Sequence, residues 1–163
     1  MLHGADACNT NTDTGETPLH AALCKAGRPR YRHTVRLLLE HGADPNTRTV
    51  PGQPTSSFMR DIRTCGETPL HRAAAYADLA IIDLLLDAGA DRTLRDANDD
   101  SPLTWASRHL RPGSILQRLA FEPHRISDGT VERMTADHGA GFGDGMDWKF
   151  VGDYLPESRP ERS

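Results

Sequence analysis

The sequence predicts an all-α solenoid of about three stacked helix pairs, and three observations predict it. Gly66-Glu67-Thr68-Pro69-Leu70-His71 repeats Gly15-Glu16-Thr17-Pro18-Leu19-His20 letter for letter, and Asp99-Asp100-Ser101-Pro102-Leu103-Thr104 is a weaker third copy. A second phrase alternates with it: His3-Gly4-Ala5-Asp6, His41-Gly42-Ala43-Asp44 and Ala88-Gly89-Ala90-Asp91. Between the phrases lie stretches such as Leu79–Ala88, whose apolar residues recur at three- and four-residue steps like the stripe of a packed helix. Two phrases in fixed alternation mean a repeat architecture, in which each unit buries its apolar face on its neighbours.

Each element follows in chain order. Residues 1–6 read as the end of a repeat whose helices are missing, so either the chain is a fragment of a longer stack or the stack begins uncapped. Its first helix pair should then expose apolar surface and allow self-association. Repeat one (15–45) places an inner helix near Pro18–Lys25 and an outer helix near Arg32–His41; repeat two (66–92) places them near Pro69–Tyr76 and Leu79–Ala88. Repeat three (99–120) places them near Pro102–His109 and Gly113–Ala120. Thr17 and Thr68 are good N-caps, and the prolines after them suit the first helical turn, where their missing N–H would be unpaired anyway. Ala73-Ala74-Ala75 gives a thin face on which neighbouring helices approach. Gly89 supplies the left-handed residue that ends a helix.

The interval from Thr68 to Ser101 is 33 residues but that from Thr17 to Thr68 is 51. The surplus divides into four residues near Lys25–Arg30 and 14 between Pro45 and Thr64. Pro51, Gly52 and Pro54 mark the stretch 45–64 as an inserted loop. Phe58, Met59 and Ile62 are apolar within it, and either fold back as a local plug or anchor a partner. After Ala120 the pattern stops, and residues 121–163 read as an irregular C-terminal extension with a disordered end. Trp148, Phe150, Tyr154 and Leu155 are its candidates for pinning it to the body.

Thr-Pro-Leu-His-x-Ala, a leucine-rich helix and Gly-Ala-Asp together resemble the ankyrin repeat, over roughly residues 1–120. The resemblance implies an ankyrin-repeat solenoid whose His20 and His71 are structural, bonding the loop of the neighbouring repeat. It also implies a non-catalytic scaffold that binds a partner protein in the concave groove of loop tips and inner helices. By position, the groove residues include Glu16, Cys24 and Lys25 in repeat one, Cys65, Glu67, Arg72 and Tyr76 in repeat two, and Asn98, Trp105, Arg108 and His109 in repeat three. The 33-residue shift aligns Arg72 with Trp105 and Tyr76 with His109, so Arg72, Tyr76, Trp105 and Arg108 should share one face. Trp, Tyr and Arg are the residue types enriched at binding hot spots. Packing of Trp105 against the tail, and solvated pairing of Arg72 and Arg108 with Glu67, Asp99 or Asp100, are the structural alternatives. The expected partner-binding set is Glu16, Glu67, Arg72, Tyr76, Trp105 and Arg108, with Phe58 and Met59 from the loop.

Composition excludes several classes. A chain of 163 residues with net charge −4 offers no broad basic field for nucleic acid. No apolar run approaches the ~20 residues that span a bilayer, and no signal peptide is visible. Cys8, Cys24 and Cys65 sit at unrelated repeat positions and read as free thiols of a reducing, cytoplasmic compartment. No Cys-x-x-Cys pair suggests zinc, and no cofactor is expected. Lys25 and Lys149 are the only lysines, which fits a GC-rich bacterial source and leaves an effector capturing host proteins as a second reading. An enzyme is the third: His138, Asp144 and Asp147 in the Gly/Asp-rich tail have donors for a hard cation, while His124, Asp137 and the cysteines are the other reactive side chains. No catalytic constellation has recognisable spacing.

Overall fold

The computed structural model describes residues 6–28, 30–55 and 63–121. Among these residues six helices form three successive pairs: α1 (Pro18–Leu23) with α2 (Arg30–Glu40), α3 (Pro69–Tyr76) with α4 (Leu79–Asp87), and α5 (Pro102–Arg108) with α6 (Gly113–Leu119). Helix α3 packs on both α1 and α5 to make an inner layer, and α2 packs on α4 in an outer one. The helix bounds agree with the sequence expectation to within two residues at each end. Both the inserted loop tip carrying Phe58 and Met59 and the tail beyond Phe121 lie outside the described residues.

The repeated phrase builds the same helix start each time. Thr17, Thr68 and Ser101 take extended backbone angles, and Pro18, Pro69 and Pro102 open the helices. The Nδ1 of His20 accepts the Thr17 N–H at 3.2 Å, and that of His71 accepts the Thr68 N–H at 3.1 Å. Each ring therefore carries its proton on Nε2 and donates it onward. His20 donates to the Glu67 carbonyl at 3.4 Å, and His71 to the Asp100 carbonyl at 3.0 Å. As the resemblance implies, the histidines stitch one repeat to the next. Leu19, Leu23, Leu70, Ile81, Ile82, Leu85 and Leu119 form the centre of the core, and Ala73 and Ala74 vanish wholly between the inner helices. Gly89 ends α4 at φ +90, the left-handed geometry expected of it.

The apolar exposure expected at the first helix pair amounts to Leu37 on α2; Tyr31, Leu38 and Leu39 are half-buried against the core. Leu79 and Leu110 in the later repeats are exposed to a similar degree.

The loops before the inner helices form fingers that bond across repeats. The Val50 N–H donates to the Thr14 carbonyl at 2.8 Å, and the Ala97 N–H to the Cys65 carbonyl at 2.7 Å. The insertion grows out of this system as a ribbon. Gly52 N–H donates to the Thr64 carbonyl at 2.6 Å, Thr64 N–H returns to Gln53 at 2.9 Å, and Pro54 bridges Arg63 in antiparallel fashion. The two ends of the expected loop are thus hydrogen-bonded arms. Gly15 sits under them at φ +68, where a Cβ would lie 2.9 Å from the Arg48 carbonyl oxygen. Gly15→Ala is expected to destabilise the chain by at least about 1–2 kcal/mol, the cost of a left-handed residue with a Cβ. Urea unfolding of the variant checks this; a change under a few tenths would show that the arm yields freely.

Candidate partner-binding groove

Fingers and inner helices enclose a cleft of about 250 Å³. The inserted arm contributes Arg63 and Cys65, the turn before α3 Glu67, the third finger Asp96 and Asn98, the end of α3 Tyr76, and α5 with its C-cap Trp105, Arg108 and His109. The helical spacing of Trp105, Arg108 and His109 at i, i+3 and i+4 puts all three on one face of α5.

The aromatic wall is held rigidly. Trp105 Nε1 donates to Asp96 Oδ2 at 3.0 Å, and the indole meets His71 edge-on with centroids 5.6 Å apart. His109 stacks on Trp105 at 6.2 Å and takes the edge of Tyr76 at 5.3 Å. Its Nδ1 lies 2.9 Å from the Trp105 carbonyl. Asp96 is fixed in turn, since its Oδ1 accepts the N–H groups of Asn98 at 2.8 Å and Asp100 at 2.9 Å. Arg108 pairs with the buried Asp100 carboxylate while its own side chain remains exposed. Tyr76 and Trp105 are half-buried, so each still shows ring surface to the cleft. A second, polar recess lies beside the arm, lined by Asn11, Asp13, Thr14, Glu16, Gln53 and Pro54.

The expected site residues therefore divide. Tyr76, Trp105 and Arg108 converge on the groove, and Glu67 lines its floor while remaining almost fully buried. Arg72 does not reach its surface, and this corrects the expectation of a shared exposed face: its side chain is 0% exposed beneath the groove floor. Arg72 Nη2 lies 2.6 Å from Glu67 Oε1 and 2.8 Å from Glu16 Oε1, and Nη1 donates to Cys24 Sγ at 3.3 Å. Glu67 is 1% and Glu16 10% exposed, so both are chiefly internal partners of Arg72. Thr49 Oγ1 and the Cys65 N–H each donate to Glu67 Oε2 at 2.7 Å, and Thr55 Oγ1 donates to Glu16 Oε1 at 2.6 Å. Burial pushes the Glu67 carboxyl up, but Arg72 and the hydrogen bonds from Thr49 and Cys65 outweigh it and hold the group below its ordinary value. Asp96, the anchor of Trp105, escaped the sequence reading. Its signal was the polar run Asp96-Ala97-Asn98-Asp99-Asp100, which suits an aspartate accepting from the N–H two residues on.

Reactive chemistry has little support here. Burial raises the thiol of Cys24, and burial followed by the charge of Glu67 raises that of Cys65, away from the thiolate a nucleophile needs. Among the described residues no three His, Cys, Asp or Glu side chains group to hold a metal. His124, Asp137, His138, Asp144 and Asp147 lie outside the described residues. No helix among the described residues is long and apolar enough to cross a membrane.

Comparison with known proteins agrees with this architecture. The family model for the ankyrin repeat matches residues 14–50, and that for ankyrin repeats in many copies matches residues 59–106. Together they cover just over half the chain. Human Rabankyrin-5 is 28% identical over 142 residues, which is 74% of this chain and 12% of that protein. The inactive serine/threonine-protein kinase TEX14 of Bos taurus is 38% identical over 100 residues, or 58% of this chain and 6% of that protein. An ankyrin repeat domain-containing protein of cowpox virus, OPG023, is 29% identical over 71% of this chain and 18% of its own length. The chain thus spans less than a fifth of each of these curated relatives.

Proposed function

The chain belongs to the ankyrin repeat family, a protein-interaction module, and from that premise we propose that it captures a segment of a partner protein in the groove between the inserted arm and α5. The observation that carries this reading is the Tyr76–His109–Trp105 wall. Three aromatic rings are locked in register by Asp96 and one another, yet Tyr76 and Trp105 leave ring surface open to the cleft. Rigid aromatics lose little conformational entropy on binding, and arginine beside them adds a directional contact for a carboxylate or carbonyl. A cleft of about 250 Å³ holds one or two side chains, which suits an anchor residue on an extended partner segment. The reading is non-catalytic, because among the described residues the thiols of the groove are raised away from the thiolate, and its one histidine, His109, has Nδ1 at the Trp105 carbonyl and its ring stacked on Trp105.

Affinity capture from the source cells identifies the partner, and calorimetry with the purified pair then tests the site. Trp105→Ala should weaken binding about thirtyfold, a hot-spot effect near 2 kcal/mol. Tyr76→Phe should change it little, and Arg95→Ala, on an exposed side chain away from the cleft, should not change it. Unaltered affinity in a folded Trp105→Ala variant would place the partner elsewhere.

A further inference from the structure

One surface outside the cleft concentrates charge, and it takes in Lys25, which the resemblance assigns to the groove but which does not line the cleft. The four-residue insertion and α2 carry Lys25, Arg28, Arg30, Arg32 and Arg36, with no acidic residue from 25 to 39. All five are exposed. Arg32 pairs with Asp78, and Arg30 lies over the Tyr31 ring at 5.4 Å. For Lys25, Arg28, Arg30 and Arg36 the described residues supply no acidic partner. Val35 is the buried side of α2, so Arg36, His33 and Arg30 fall on its outward side.

The rest of the chain supplies the complement. Residues 1–121 hold 14 Lys and Arg and 14 Asp and Glu, so the net charge of −4 resides entirely in residues 122–163. Within these, 137–157 carry Asp137, Asp144, Asp147, Asp153 and Glu157 against the single cation Lys149. The acids alternate with rings, as Asp147-Trp148, Phe150 and Asp153-Tyr154. A guanidinium pairs with carboxylates in its plane and with aromatic rings on its face, so an arginine surface fits such alternation.

We propose that the acidic, aromatic stretch 144–157 of this chain docks on the cationic face formed by Lys25, Arg28, Arg30 and Arg36. Reach permits it. The 23 residues from Phe121 to Asp144 extend to about 75 Å, about twice the ~35 Å diameter of a compact body of this length. Tethering holds the segment at millimolar effective concentration, so modest contacts suffice. A long polyanion fits less well, since the face is confined to one insertion and one 11-residue helix on a body of zero net charge. A lipid surface fits less well too, since Leu37 is the one exposed large apolar side chain of α2.

Zero-length carbodiimide coupling of the full chain tests this, because it joins amines to touching carboxylates and Lys25 and Lys149 are the only lysines. Mass spectrometry should find Lys25 joined to Asp144, Asp147, Asp153 or Glu157. In a mixture of ¹⁵N- and ¹⁴N-labelled chains the joined peptides should carry one label only. The yield should fall about tenfold at high salt, where the Debye length shrinks to a few ångströms, and equally in Arg28→Glu, Arg36→Glu, whose exposed positions leave the helix intact by circular dichroism. Lys25 joined only to body carboxylates such as Glu40, or to nothing, would overturn the proposal. Mixed-label products would overturn docking within one chain. Erasure of the product by a low-micromolar DNA duplex or by anionic phosphatidylserine vesicles would assign the face to that polyanion instead.

Discussion

Arg72→Met lowers the stability of the chain by about 3–5 kcal/mol, because it leaves buried carboxylates without their cation. In the native protein Arg72 and Glu67 are essentially without solvent contact and Glu16 nearly so. The pairing also ties three separate pieces of chain. Glu16 belongs to the first finger, Glu67 to the second, and Thr49 and Thr55 bring in the inserted arm. Removing the guanidinium therefore strands two acids and loosens both fingers. The loss corresponds to a fall in Tm of roughly 10–20 °C for a domain of this size, read by thermal and urea unfolding under circular dichroism. Its origin is separable from simple loss of packing. Arg72→Met combined with Glu16→Gln and Glu67→Gln removes the stranded charge and should regain more than half of the loss, as neutral replacements of buried ion pairs do. A loss under about 1 kcal/mol in the single variant, or no recovery in the triple, would show that water reaches the cluster and that the pair is worth no more than a surface one.

This cluster marks where sequence reasoning stopped. The helices were legible because their signals are local: Pro69 and Thr68 define a start within one turn, and Gly89 a stop. The cross-repeat bonds of His20 and His71 were legible through the family resemblance, which extends to those positions. Arg72 was not. A shift of 33 residues gives the position of a residue along the inner helix, but not whether a finger closes over it. The clue lay in combining repeats. Each has an acid directly before its helix cap, Glu16, Glu67 and Asp100, but only repeat two has arginine five residues later, where the others have Ala21 and Trp105. One arginine thus serves two glutamates, and Asp100 finds Arg108 instead. The antiparallel arms escaped for another reason. Their pairing runs through the backbones of Gly52, Gln53 and Thr64, in a stretch whose prolines and glycine read as loop and whose side chains show no strand alternation.

Acidification from pH 7 to pH 5 should remove about 2 kcal/mol of stability through His20 alone. Burial lowers its pKa from 6.5 to about 4, and the charge of Arg72 pushes the same way, while Glu67 and Glu16 oppose. The reason is visible in the bonds. Nδ1 must stay unprotonated to accept the Thr17 N–H, while Nε2 donates to the Glu67 carbonyl. A second proton would set two donors against each other in a site without solvent. The unfolded chain has no such constraint and takes up the proton near pH 6.5. Between pH 6.5 and about 4 the unfolded state therefore binds more protons than the native one. The stabilisation is complete above pH 6.5 and declines as pH falls toward 4. His71 is lowered chiefly by burial and adds in the same direction. Glu67, held below its ordinary 4.5, extends the decline at still lower pH, where its carboxylate must be protonated as the chain unfolds. Urea unfolding at pH 7.5, 6 and 5 gives the profile. His20→Gln, which lacks the titrating group, should be less stable at pH 7.5 but distinctly flatter between 6.5 and 5. A profile parallel to that of the parent chain would mean that His20 takes its proton in the native state, and that the bond joining the first two repeats survives a charged ring.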